Sequence, residues 1–403
     1  MWSVLYLPFG AMSGFVSVAL VFLSSQNGLS VTEGSFLNGA NLVSQWLKWT
    51  WAPVIDVTLT PKRWYVLGTT ASALGVFLMS AVPMSHSTLG WLLAVIAIAS
   101  LLNSIVGMSI EAMMAQTTVP EEQGRTSGWF QAGNLGGAGL GGGLGLQMLE
   151  GLPSPWMAGA VLGALFMLCN LMLFAVPELQ IHRLAGGPAA AFRGVLDDLR
   201  ALGRTKGGLL AAVLCFLPLG TGAAQGTLTQ GAVAAYWHAG STEVAWVQGY
   251  TAAVVTAIGC GAGGLLCSRI HPRTAYAGIG LTLAGIAVGM AVGPATVTAY
   301  VVWNLVYAFG VGIAYAAFTA VVLNAIGAKS AATKYTLYAS LSNFPIWWLG
   351  LLLGRVADLQ GAPAMLITEA VLGVLAVVVL FAATKLVSRT RLPDVAEDAA
   401  PAA

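Results

Sequence analysis

Asn38-Gly-Ala-Asn41-Leu-Val-Ser-Gln45-Trp-Leu-Lys48-Trp-Thr-Trp-Ala-Pro-Val-Ile-Asp56, running on to Pro61-Lys62-Arg63, is the stretch on which the reading of this chain turns. It is long and apolar enough to cross a bilayer. Yet Asn38, Asn41, Gln45 and Lys48 recur at steps of three, four and three, which gathers them on one helical face. Asp56 follows eight residues after Lys48, so the ammonium sits about 12 Å deeper than the acidic end of the same helix. A lysine close to a helix end snorkels to water; one at this depth needs a cavity, an acid or a ligand. Lys48, Gln45 and Asn41 are therefore the first candidates for contact with a solute.

The remainder of the 403 residues supplies the membrane setting. Hydrophobic residues make up 57% and charged residues only 8%, against about 25% charged in a soluble domain. Mean hydropathy is +0.81. Apolar runs recur about twelve times, roughly at 4–24, 35–56, 64–83, 89–114, 124–149, 156–176, 208–237, 245–267, 274–293, 296–325, 331–357 and 363–387. They are too long and continuous for barrel strands, so the expected class is an all-α membrane protein of about twelve transmembrane helices. The first run begins almost at Met1 without a basic flank or a small-residue cleavage site, and is expected to be retained as a helix.

Basic residues set the expected orientation. Lys62 and Arg63, Arg125, the group from Arg183 to Lys206, Arg269 and Arg273, Lys329 and Lys334, and Lys385 to Arg391 all follow even-numbered runs. By the positive-inside rule both termini are then cytoplasmic and the chain belongs in the cytoplasmic membrane. The net charge of +2 reports this topology and offers no nucleic-acid surface. Cys169, Cys215, Cys260 and Cys267 lack metal-ligand spacing and read as small buried residues, so no metal or cofactor is expected. A phosphate-binding Gly-x4-Gly-Lys-Ser/Thr loop is absent, as are His-Glu-x-x-His and Ser-His-acid sets, which argues against an ATP-driven pump and against an enzyme.

The longest polar interruption divides the chain. It implies a first six-helix bundle over 1–178, a cytoplasmic linker over 179–207, a second bundle over 208–390 and a tail over 391–403. The halves echo one another at an offset of about 210 residues: Asp56, Lys62 and Arg63 match Ser268, Arg269 and Arg273. A duplicated bundle suggests alternating access by rocking one half on the other. The acid and basic groups of these loops are candidates for a lock on one access state.

Other polar residues fall inside apolar runs. Gln131 and Asn134 lie on the glycine-rich fifth run, Gln225 and Gln230 on the seventh, and an amide facing lipid is costly. Tyr300, Asn304, Tyr307 and Tyr315 recur at helical steps on the tenth, with Trp303 beside them. Tyr338, Trp347 and Trp348 lie on the eleventh, where cavity lining and an interfacial belt are both open readings. Glu111, toward the cytoplasmic end of the fourth run, is a candidate gate, a coupling acid or a partner for Lys48. Glu369, near the outer end of the last run, reads as peripheral.

Five stretches carry a resemblance to a known family. The loop Asp56-x5-Lys62-Arg63 resembles, in partial form, the cytoplasmic signature of the major facilitator superfamily. Leu47 to Asp56, Glu111-Ala112 followed by Pro120-Glu-Glu-Gln-Gly124, and Ala332-Thr-Lys-Tyr335 through Ser340-Leu-Ser342 are similar to blocks of its AmpG-type muropeptide permeases, acetyl-CoA transporters and siderophore permeases. Gly263-Gly264 with Arg269 resembles the end of their eighth helix. Two departures stand out: Gly107 replaces a second acid, and Thr221-Gly-Ala223 replaces a Gly-Asp-Ala. The resemblance implies a monomeric secondary transporter, proton-coupled and inward, for an amphipathic and anionic solute such as a muropeptide or siderophore. Lys48, Asp56 and Glu111 carry over as positions. Export of drugs or metabolites, and a non-transporting assembly or pigment-delivery role in the same fold, are the alternatives.

Overall fold

A computed structural model describes residues 1–50, 55, 58–117, 123–177, 193–194, 196–197, 200, 203–326 and 337–390. Twelve helical passes account for nearly all of them. In chain order α1 is Trp2–Gln26, α2 is Val31–Leu47 with a 3-10 turn at Lys48–Thr50, α3 is Pro61–Ala81, α4 is Leu89–Thr117, α5 is Gln123–Gly151 and α6 is Pro155–Ala175. In the second half α7 is broken into Lys206–Phe216, Ala223–Leu228, Gly231–Ala234 and a turn at Ala235–Trp237. Then come α8 at Ser241–Arg269, α9 at Pro272–Val292 and α10 at Val297–Ile326. Residues 337–360 form α11 and 362–388 form α12, continuous except at Gly361, whose φ of 84° turns the chain back. Eight stretches meet the length and hydropathy of a span, the last containing two passes. The amide-bearing α2, the glycine-rich α5 and the broken α7 fall short of that measure.

An even number of passes puts both termini on one face, called here the terminal face, with the 27–30 turn on the opposite, far face. The expected repeat is visible in particular bonds. Pro61 and Pro272 each open a helix of 21 residues in the first turn, where the missing N–H costs nothing. Tyr65 of α3 donates to the Leu5 carbonyl of α1 at 2.7 Å, and Tyr276 of α9 donates to the Leu219 carbonyl of α7 at 2.5 Å. The same clamp thus ties the third helix of each half to its first.

Glycines decide the closest packing. A Cβ on Gly137 would stand 2.5 Å from the Leu7 carbonyl oxygen, and one on Gly141 would overlap the backbone of Ala11. Helices α1 and α5 therefore touch backbone to backbone, the small-residue contact that replaces hydrophobic attraction between helices in lipid. Gly133, Gly137, Gly141, Gly142 and Gly145 form this face against α1, while Gly139 and Gly143 admit α8 on another side of the same helix.

Candidate functional site

The seam between the halves is lined on one side by α2. Ser35, Gly39, Leu42 and Trp46 recur at steps of four, three and four and face the second half. Ser35 accepts from the Gln230 amide of α7 at 3.0 Å, and Trp347 of α11 packs against Gly39. A small cavity with room for about one water lies here, bordered by Asn38, Leu42, Gly226, Thr227 and Trp347.

The predicted polar stripe divides across this geometry. Asn38 belongs to the seam, its amide close to Gly226. Asn41 does not: it is 2% exposed, donates to Ser13 at 3.1 Å and accepts from Ser100 at 2.9 Å. Its amide ties α2 to α1 and α4 within the first half instead of pointing into a cavity. Gln45 and Lys48 are half-buried and make no side-chain hydrogen bond or ion pair among the described residues. Lys48 therefore stands unpaired, and Glu111, half-buried on α4, forms no ion pair with it.

Aromatic rings cluster on the seam side of α2 just before this lysine in sequence. Trp46 meets Phe344 edge-on at 5.6 Å and Trp347 at 5.9 Å, while Phe344 also contacts Phe216 at the end of the first α7 segment. The indole N–H groups of Trp46 and Trp49 are shut off from solvent and have no partner among the described residues. A buried donor left unsatisfied costs about 1–3 kcal/mol, so each of these indoles is a donor in want of an acceptor.

A second polar group runs through the C-terminal half. Gln225 donates to Gln248 at 3.4 Å, Gln248 donates to Asn304 at 2.5 Å, and Asn304 donates to the Tyr300 carbonyl at 2.8 Å. Tyr307 donates to Glu369 at 2.6 Å, and the Ala224 N–H donates to the same carboxyl oxygen at 3.1 Å. Of the predicted residues, Gln225, Asn304 and Tyr307 are brought together; Gln248, which the sequence reading did not single out, and Glu369 join them. Glu369 was expected at the periphery and instead reaches inward to α7 and α10. Tyr338 lies elsewhere, donating to the Gly208 carbonyl of α7 at 2.9 Å.

The far face is held shut. Asp358 of α11 accepts from the Val31 and Thr32 N–H groups, each at 2.7 Å, and from the Thr32 hydroxyl. Ala232 N–H donates to Ser25 at 3.1 Å, Thr229 to the Ser17 carbonyl at 3.1 Å, and Tyr250 to Gln147 at 3.0 Å. These bonds all join one half to the other. On the terminal face Lys62 donates to the Val176 carbonyl at 2.7 Å, inside its own half, and Arg63 and Arg269 are exposed, with Arg273 half-buried. Asn134 is half-buried on α5, where its backbone carbonyl faces Gly10. Asp56, the loop at 330–336, most of the linker, the tail and the side chain of Gln131 lie outside the described residues.

Solved structures share this architecture. The nucleoside transporter NupG superposes with a TM-score of 0.69 at 15% identity, covering 96% of this chain and 98% of its own. A bacterial homologue of the human lysosomal transporter Spinster, solved inward-facing and unoccupied, gives 0.70 at 16% identity and 96% coverage of both chains. A POT family transporter in complex with 5-aminolevulinic acid gives 0.71 at 10% identity, again with 96% of both chains. At such identities the likeness is one of fold. The sequence pattern of the Major Facilitator Superfamily, matched from residue 2 to residue 347, makes this chain a member of that superfamily of membrane transporters.

Proposed function

We propose that the protein imports an amphipathic, anionic organic solute, such as a muropeptide or a siderophore, across the cytoplasmic membrane in symport with protons. The observation that carries the reading is Lys48, which has no ion-pair or hydrogen-bond partner among the described residues, at the end of a helix whose Trp46 and Trp49 hold buried indole N–H groups without acceptors there. An anionic group bound at this end of α2 would compensate the ammonium, and the rings of Trp46, Phe344 and Trp347 offer an apolar surface for the remainder. An unpaired cation at membrane depth costs about 2.5–3.5 kcal/mol on insertion scales, a cost that a bound anion offsets. Closure of the far face by Asp358 fits the inward-facing member of an access cycle. In this reading the termini are cytoplasmic, Lys62, Arg63, Arg269 and Arg273 on the terminal face, with Asp56 of the same loop in sequence, form the cytoplasmic lock, and Glu111 acts as a gate.

Thermal unfolding of the purified protein in the presence of muropeptides, siderophores, acyl-CoA compounds, nucleosides and peptides tests this. A ligand at about 100 times its Kd stabilises by roughly 2.7 kcal/mol. The expected hit is anionic, stabilises wild type, loses its effect on Lys48→Ala, and drives counterflow in proteoliposomes. A hit that is neutral or cationic and unaffected by Lys48→Ala refutes the assignment of the site.

A further inference from the structure

The Glu369 carboxyl is bonded unevenly. Oε1 accepts two hydrogen bonds, from the Tyr307 hydroxyl and the Ala224 N–H, while Oε2 is cut off from solvent and has no partner. An ionised carboxylate at membrane depth needs a cation or water at both oxygens, and none is supplied. No Lys, Arg or His among the described residues lies within ion-pair distance of it. The neutral acid suits the site: a carbonyl oxygen takes two donors and the other oxygen carries the proton.

The surroundings are unequipped to hold an ion. From α7 come the Ala224 N–H and the uncharged Gln225; from α8 comes the Gln248 amide, with Glu243 at the far end. On α10 the titratable neighbours are Tyr307 and, two turns further, Tyr315; α9 has only Arg273 and Tyr276, at its terminal end, and α11 places Arg355 and Asp358 at its far end. Ala224 also marks the break in α7, where Gly220 and Gly222 adopt φ of 63° and 67° and the helix restarts at Ala223. Glu369 thus spans from α12 to the interrupted α7.

We infer that Glu369 is a proton-binding site that couples protonation to the access state, through its bonds to Tyr307 and to the restart of α7. This rests on the reading of a proton-linked transporter and places the coupling proton on Oε2 of Glu369. The protonated acid is accommodated in the enclosed arrangement seen here, with the far face shut. Loss of the proton leaves a carboxylate that requires water or a cation, so the ionised form favours rearrangement of α7 and opening of the far face. Because the two access states then differ in proton affinity, a proton shifts their populations.

The test needs no solute. Spin labels at Gln26 and Gln360, both exposed on the far face of opposite halves, report opening, and infrared difference spectra across a pH titration report the neutral carboxyl. Wild type should show a carboxyl band that titrates together with the label distance. Glu369→Gln, isosteric with the protonated acid, should lose the band and hold the short distance at every pH. Tyr307→Phe keeps the ring but removes a donor to the ionised form, so the shared midpoint should rise by about one pH unit. A pH response that persists unchanged in Glu369→Gln, or that disappears in Glu111→Gln instead, overturns the inference. So does a wild type whose label distance ignores pH. Binding of an anionic solute at Lys48 is measured separately, so failure here and failure of the transport reading are told apart.

Discussion

Removing the Asp358 carboxylate should open the far face without unfolding the protein. Asp358 caps α2 from the other half of the molecule, through the Val31 and Thr32 N–H groups at 2.7 Å each and the Thr32 hydroxyl. A separate local cap is already present: Ser30 accepts from the Glu33 N–H and Glu33 accepts from the Ser30 N–H at 2.8 Å. Asp358→Ala therefore leaves the helix start intact, and its cost falls on the contact between halves. Losing a cap residue costs about 0.5–2 kcal/mol and losing an anion at a helix N-terminus about 0.3–1 kcal/mol. Asp358 is exposed, so solvent screening places the sum near the low end, about 1–2 kcal/mol. That corresponds to a change of roughly 5–30-fold in the ratio of closed to open far face. Electron–electron distance measurements between labels at Gln26 and Gln360 would read this ratio, after replacement of the four native cysteines. Asp358→Asn, which keeps an acceptor oxygen, should give a smaller change, and raised salt should weaken the wild-type clamp in the same direction. A folded Asp358→Ala protein with an unaltered distance distribution would show that the far face is held by apolar packing and that the carboxylate contributes nothing.

Lys48→Ala should insert and unfold at or above the wild-type temperature while losing solute affinity by tenfold or more, and Lys48→Arg should recover only part, since a planar fork fills a point-charge site differently; titration calorimetry with the screened solute checks both. Gly141→Val should lower thermal stability by about 1–3 kcal/mol by forcing α1 from α5, whereas Gly136→Ala, with open space around it, should be neutral; unfolding followed by size-exclusion decides. Asp56→Asn and Arg63→Ala should slow counterflow yet leave affinity within a few-fold, and equal loss of binding and transport in folded protein would remove these residues from the lock.

The passes were legible because a bilayer permits few alternatives: hydropathy and length placed most runs within a few residues of the helix observed, while the end of the second run and the start of the eleventh lie outside the described residues. Burial direction was less legible. On α2 the three-residue step from Asn38 to Asn41 keeps both on one side in projection, but the seam runs through Ser35, Gly39, Leu42 and Trp46, and Asn41 falls beyond its edge among Ser13 and Ser100. Glu369 was misjudged for a different reason. Distance from a helix end in sequence stands for depth only if the neighbouring passes are regular, and the break in α7 brings Ala224 and its free N–H to the carboxyl. Thr221-Gly-Ala223 was noted only as a departure from a family block, although two glycines in four residues within an apolar run are a signal for such a break. Asp358 carried no signal at all, because its partners, two backbone N–H groups and the Thr32 hydroxyl, are 326 and 327 residues away.

The interruption of α7 also has a mechanical meaning. Three tyrosines from three different helices donate to its carbonyls: Tyr276 to Leu219, Tyr300 to Leu228 and Tyr338 to Gly208. Helices α1 and α5, packed backbone to backbone, behave as a stiff beam, whereas α7 is a jointed rod whose first two segments and the joint between them are each tethered to a different pillar. Displacement of any one pillar must then be absorbed at the joints between segments, so compliance is concentrated in a single pass and the other helices are free to move as rigid bodies.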